Sequence, residues 1–261
     1  MCRLVAYLGR PTPAAPLVFG GDHSLYHQSW EPRELLSGSR RADGYGVVWY
    51  QGDRPRRIAE ARPIWHDEEL EGTLDAVRSP CVLGALRVGA PGASGDRASV
   101  LPLVHGRWTF IFDGRVPDFR RRHMRALRTS LTDALYGELR GSSEAETLFL
   151  LVVAALQNGA SPVQALCAAA GAVSSRVGRN EAQLTMVLSD GNSVAALLTS
   201  TVRRTNSLYV ARGPAQGPRG IVLASEPLDR ARVWKAVPPH HAVVLGPEGR
   251  LDIPALGHFG H

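Results

Sequence analysis

The chain predicts an α+β fold in which helices cover packed sheets. Strand-like segments fill the first half, helical segments follow, and strand-like segments return in the last third. No Gly/Ser-rich linker separates these blocks, so residues 1–261 are expected to form a single domain. With 44% hydrophobic residues among 261, the chain can bury a sizeable core.

Residues 2–8 alternate as a short strand should, with Gly9-Arg10-Pro11 as its expected end. Residues 17–36, holding Gly20-Gly21 and Pro32, read as loop plus short helix. Residues 44–50 form a strand entered through Ala42-Asp43-Gly44, a tight turn in which glycine permits φ > 0. A second strand at 55–61 completes a hairpin across Gly52-Asp53. Residues 67–77 suit an amphipathic surface helix, whereas 81–88 is apolar and continuous like a buried central strand. Residues 90–99 read as a loop. Residues 108–112 form a strand that Asp113-Gly114, a strong turn signal, is expected to terminate. Helices follow at 120–128, 143–157 and 162–175, the second opening on the capping box Ser143-Glu144-Ala145-Glu146. Strands return at 184–188, 194–199, 207–211, 221–224 and 242–245, with turns at Ser189-Asp190-Gly191-Asn192 and Gly246-Pro247-Glu248-Gly249. The Arg- and Gly-rich residues 212–220 read as a mobile loop, and 257–261 as a tail.

The net charge of +6 raises a nucleic-acid reading, which the distribution of charge weakens. Nearly all cations are arginine, Lys235 being the only lysine. The one dense cluster, Arg115, Arg120, Arg121, Arg122, Arg125 and Arg128, is interleaved with Phe119, His123 and Met124. It suits a solvated helix face or, as an alternative, a surface for an acidic partner or carrier. Nothing resembles a recognition helix or a stacking platform, so no nucleic-acid partner is expected. No apolar run approaches the roughly 20 residues that span a bilayer, and the N-terminus does not read as a signal peptide, so the expected location is cytoplasmic.

Three cysteines without a C-x-x-C pair argue against a disulfide framework or a zinc site. Cys81 and Cys167 lie in apolar runs and read as core. His23 and His27 have the spacing of a metal pair on a helix, yet no third ligand accompanies them, and no metal or cofactor is expected. Cys2 differs. Removal of Met1 would leave one residue carrying both a thiol and an α-amine of pKa ~7.7–8.0, a nucleophile beside a base.

Cys2, the Ala42-to-Val47 turn, Arg87 after a buried strand, residues 108–114, the Ser143-to-Glu146 helix start and Ala224-Ser225-Glu226-Pro227-Leu228 occur in one order. This set resembles the class II glutamine amidotransferases of the N-terminal-nucleophile hydrolases, and within them the γ-glutamyl hydrolase branch of ergothioneine biosynthesis. The resemblance covers nearly the whole chain. It implies a four-layer αββα sandwich of two mostly antiparallel sheets. It also implies that Cys2 attacks a γ-glutamyl or glutamine-like amide to form a thioester, its own amine shuttling the proton. Arg87 would hold the substrate α-carboxylate, Asp43 and Gly44 would line the glutamyl pocket, and Glu144 would stand where relatives place an aspartate that receives the substrate ammonium.

The sequence departs from these relatives at their oxyanion pair. Asn-Gly becomes Asp113-Gly114, and losing one oxyanion donor typically costs ~10²–10³ in rate. Three readings stay open: a protonated Asp113 that donates, a Gly114 N–H acting with a second donor, or lost chemistry on a retained binding fold. Ala85 replaces a histidine usual in relatives, and Leu101-Pro102-Leu103 replaces a His-Pro-Phe loop. The primary expectation is a cysteine amidohydrolase acting on a small biosynthetic intermediate. An acyltransferase using the same thioester and a non-catalytic binding protein are the alternatives.

Overall fold

The computed structural model describes residues 2–36, 42–88, 99–178, 182–202, 204–213 and 220–256. The readings made for most of residues 90–99, much of 212–220 and the tail 257–261 lie outside them.

In chain order the strands are β1 (Arg3–Pro13), β2 (Gly44–Gln51), β3 (Arg54–Glu60), β4 (Arg78–Arg87), β5 (Leu103–His105), β6 (Trp108–Arg115), β7 (Gln183–Ser189), β8 (Val194–Ser200), β9 (Tyr209–Arg212), β10 (Gly220–Ala224), β11 (Lys235–Ala236), β12 (His241–Leu245) and β13 (Leu251–Asp252). The α-helices are α1 (Ala15–Val18), α2 (Leu25–Gln28), α3 (Leu70–Ala76), α4 (Met124–Arg128), α5 (Asp133–Tyr136), α6 (Glu144–Gln157) and α7 (Pro162–Val177). A π-helical turn, Phe119–His123, leads into α4.

Two antiparallel sheets result, ordered β11-β9-β10-β1-β4-β2-β3 and β13-β12-β8-β7-β6-β5. Alternation along β1 explains the layering. Leu4, Ala6 and Leu8 point into the core between the sheets, whereas Val5 and Tyr7 point outward to Leu17, Val18 and Leu25 of α1 and α2. On the opposite side α6 and α7 pack against β6, β7 and β8. The architecture is therefore the α+β, four-layer αββα sandwich.

Two contacts show how the layers are fixed. The Tyr50 hydroxyl, carried by the first sheet, meets Thr109 Oγ1 at 2.7 Å and the Ser189 carbonyl at 2.9 Å on the second. On the far side Phe149 of α6 stacks on Phe110 of β6, with ring centroids 5.0 Å apart and planes 3° from parallel. Both rings are buried, so Phe149→Ala is expected to cost about 3–5 kcal/mol of stability, read as a lower urea midpoint. An unchanged midpoint would show that this stack contributes nothing.

Four local expectations are corrected. β1 does not stop at Gly9-Arg10-Pro11 but shifts register between Leu8 and Thr12 and continues to Pro13, because pairing with β4 resumes beyond the irregularity. Asp113-Gly114 is no turn. Both residues pair within β6, opposite Thr185 and Leu184, and a Cβ on Gly114 would sit 2.0 Å from the Gln183 carbonyl oxygen. Gly44 needs no positive φ; its lack of a side chain leaves room for Arg87, whose Nε lies 3.1 Å from where a Cβ would be. At the α6 start only half of the capping box forms. Ser143 Oγ accepts from the Glu146 N–H, but the Glu146 carboxylate turns to the amides of Arg140 and Gly141. The complete box is Ser161/Gln164 at α7.

Candidate active site

Register alone gathers half of the site. Arg3 pairs with Leu86 across β1 and β4, so Cys2 and Arg87, each one residue further, face one another at the end of that ladder. Arg87 in turn pairs with Gly44 across β4 and β2. Cys2 is half-buried and packs against the core between the sheets, on the side that Leu4 and Ala6 also occupy. The Val88 backbone N–H interacts with its sulfur. Burial is the largest influence on the thiol and pushes its pKa up, with Asp113 adding to the rise; the positive chain terminus and the Val88 N–H oppose them.

Arg87 is held from two sides. Its Nε donates to Asp43 Oδ1 at 3.1 Å and its Nη1 to Ser99 Oγ at 3.1 Å, while the Asp43 N–H donates to the Arg87 carbonyl at 2.9 Å. Asp43 thus aims the guanidinium. The arginine side chain is 11% exposed and that of Asp43 48%, which places the pair at a rim open to solvent.

The second sheet contributes Asp113 and Gly114 from β6. Asp113 is fully buried, and its Oδ1 accepts from the Cys2 backbone nitrogen at 2.8 Å. Its Oδ2 lies 3.3 Å from Arg3 Nη2. Both carboxylate oxygens therefore face donors at the start of β1, the Cys2 nitrogen and Arg3. Burial pushes the Asp113 carboxyl up, against the downward pull of Arg3, the chain terminus and the Cys2 N–H.

Two residues past Gly114, the Val116 N–H donates to Glu144 Oε2 at 3.0 Å. Glu144 opens α6, and burial raises its carboxyl pKa to about 7 despite that hydrogen bond and the positive charges of the chain terminus and Arg115. Cys2, Asp43, Gly44, Arg87, Asp113, Gly114 and Glu144 are joined by register, hydrogen bond or chain adjacency at one end of the sandwich.

A buried ion network behind Cys2 was not legible in the sequence. Arg3, 1% exposed, donates from Nε to the Cys2 carbonyl at 2.7 Å and from Nη1 to Glu226 Oε1 at 2.9 Å. Glu226 also meets His23 Nε2 at 2.6 Å and accepts from the amides of Arg33 and Glu34. Burial would raise Glu226, but His23, those amides and Arg3 outweigh it and hold the carboxyl down at about 2. The available signals were a charged side chain opening the apolar first half of β1 and Glu226 within the Ala224-to-Leu228 motif. Asn206 is also buried, its Nδ2 donating to the Asp113 carbonyl at 2.8 Å.

His23 is thereby committed to a carboxylate, and among the described residues no group of three or more His, Cys, Asp or Glu is placed to hold a metal ion. No helix among them is long and apolar enough to cross a membrane. In the arginine cluster, Arg128 serves the fold through Thr147 Oγ1 and the Gly141 carbonyl, Arg120 reaches the Ser142 carbonyl, and Arg121 and Arg125 are exposed.

No protein-family model matches the chain. The chain is 30% identical over 246 residues to a γ-glutamyl-hercynylcysteine sulfoxide hydrolase from Mycolicibacterium smegmatis, covering 93% of this chain and 95% of that protein. It is 29% identical over 251 residues to the enzyme of the same name from Mycobacterium tuberculosis, covering 95% of this chain and 94% of the relative. Among solved structures, a glutamine aminotransferase class-II domain protein from Silicibacter pomeroyi superimposes with a TM-score of 0.72 at 23% identity, covering 98% of this chain and all of that one. The glutamine phosphoribosylpyrophosphate amidotransferase of B. subtilis superimposes with a TM-score of 0.62 at 15% identity, over 99% of this chain and 49% of that chain. These two likenesses are of fold.

Proposed function

This chain belongs to the class II glutamine amidotransferase-like hydrolases that include the γ-glutamyl-hercynylcysteine sulfoxide hydrolases, and from that premise we propose that it hydrolyses the γ-glutamyl amide of a small molecule through a thioester on Cys2. It is an amidohydrolase by family. The observation that carries the finer reading is the placement of Cys2 opposite Arg87 on paired strands, with the Cys2 nitrogen on Asp113 and Glu144 beyond it.

The steps follow from those positions. Once Met1 is removed, the Cys2 thiol gives its proton to its own α-amine and the sulfur attacks the γ-carbonyl carbon. The tetrahedral oxyanion takes a hydrogen bond from the Gly114 N–H. The C–N bond breaks, the proton passes from the ammonium to the leaving nitrogen, and a γ-glutamyl thioester remains. Water then adds to the thioester, gives a proton to the amine, and the C–S bond breaks to release glutamate and restore the thiol. Arg87, pre-aimed by Asp43 and Ser99, receives the α-carboxylate, and Gly44 supplies the space beside it. Glu144 receives the α-ammonium. Capture of the thioester by an amine in place of water would make the same site an acyltransferase, and mass analysis of products formed with added amines separates the two outcomes.

The charge on Glu144 sets a pH dependence whose sign is fixed. Its carboxyl is neutral below about pH 7 and ionised above, so KM for a γ-glutamyl substrate is expected to rise as pH falls through 7. Glu144→Gln is expected to raise KM roughly 10–100-fold at pH 8 and to flatten this KM profile, because a charge-assisted hydrogen bond is worth about 1.5–3 kcal/mol. A KM that still climbs below pH 7 in the glutamine variant would remove Glu144 from this role.

A further inference from the structure

The Asp113 carboxylate does not face an empty oxyanion position; it holds the nitrogen of Cys2. In the chain with Met1 removed, that nitrogen is an amine which in its protonated form donates the same hydrogen bond with a full positive charge. Resting on the nucleophile reading above, we propose that Asp113 is a positioning residue that keeps the mature α-amine as an ammonium ion, with Arg3 holding the carboxylate from behind.

Three observations support the assignment. The Oδ1-to-nitrogen distance of 2.8 Å is that of a charge-assisted hydrogen bond. Asp113 is fully buried, so the attraction is screened far less than at a surface. Arg3 is itself pinned by Glu226 and by the Cys2 carbonyl, which leaves the carboxylate little freedom to swing towards an oxyanion. The same guanidinium touches the Cys2 main chain and both acids, so the nucleophile is located from both of its backbone groups.

The consequence is electrostatic. Burial raises the Asp113 carboxyl, but Arg3 and an ammonium at hydrogen-bonding distance both favour its ionised form, which in turn favours the protonated amine and disfavours a thiolate on the same residue. The pair would then release a base only at higher pH than a free N-terminus, whose pKa is ~7.7–8.0. The groups around this pair are the Cys2 thiol just before β1, Arg3 on β1, Glu226 after β10 and Arg87 of β4, which register brings opposite Cys2, with Glu144 of α6 beyond them. Arg3 and Arg87 oppose the effect, whereas Glu226 and Glu144, when ionised, reinforce it.

The test uses the mature chain with Met1 removal verified by mass, in wild type, Asp113→Asn and the charge-retaining Asp113→Glu. ¹⁵N-cysteine labelling follows the α-amine titration by NMR, and iodoacetamide modification of Cys2, read by intact mass, follows the thiol without any substrate. The wild-type amine is expected to titrate about 1–2 units above the free value. Asp113→Asn should lower it by a similar amount and move the acid limb of Cys2 alkylation and of kcat/KM to lower pH, whereas Asp113→Glu keeps the limb high. A wild-type amine titrating at or below the free range overturns the proposal even if neither variant folds, as does an Asp113→Asn limb that stays in place. Elevated titration without turnover of any γ-glutamyl amide would leave this assignment standing and sink the hydrolase reading instead.

Discussion

Replacing Cys2 by alanine is expected to lower turnover of a γ-glutamyl anilide by at least about 10⁴-fold, to near the uncatalysed rate, because the nucleophile and the intermediate both vanish. The fold should survive, since Cys2 precedes β1 and is only half-buried. A glutamine-derived diazo-ketone should add once to the wild-type chain, on Cys2, and not at all to Cys2→Ala. Cys81 is fully buried, and burial drives its thiol up to about 12, so it offers no competing thiolate. A chain forced to keep a residue in front of Cys2 should be as inactive as the alanine variant, because a peptide nitrogen cannot take the proton. Turnover by that blocked chain within tenfold of the mature one would refute the amine's role while leaving the sulfur's intact.

The second large effect concerns Arg87. Arg87→Ala is expected to raise KM about 10²-fold, the worth of the charge-assisted hydrogen bonds lost to the substrate carboxylate, with a smaller fall in kcat. Arg87→Lys should recover little, since an ammonium cannot present the planar fork that Asp43 and Ser99 aim. The specific check is an anilide of γ-aminobutyrate, which lacks the α-carboxylate. Wild type should discriminate against it about 10²-fold and Arg87→Ala should not; equal discrimination by both would assign the carboxylate to another group.

Much of this site was readable because its residues sit where strand periodicity leaves little choice. The apolar run before Arg87 predicts a central strand, and β4 is indeed flanked by β1 and β2. Ser143 predicts the α6 start that carries Glu144, because a hydroxyl just before a helical run can accept from an unsatisfied amide of the helix end, as Ser143 does from Glu146. Asp113-Gly114 misled for an equally physical reason. Asp-Gly is favoured in turns by its local backbone chemistry, yet here partners more than a hundred residues away satisfy the aspartate, and the glycine is needed for close packing on β7. Local propensity carries no information about such distant partners.

Order along the chain determined the fold class and named the candidate residues of the site, since alternation, caps and collinear motifs are properties of neighbouring residues. Tertiary structure alone decided which groups Asp113 meets. Whether a buried carboxylate faces an oxyanion, a guanidinium or an amine depends on which strands of the two sheets meet. In this chain Arg3 and the Cys2 nitrogen reach it first, because β1 and β6 face each other across the core at the end where both chemistries converge.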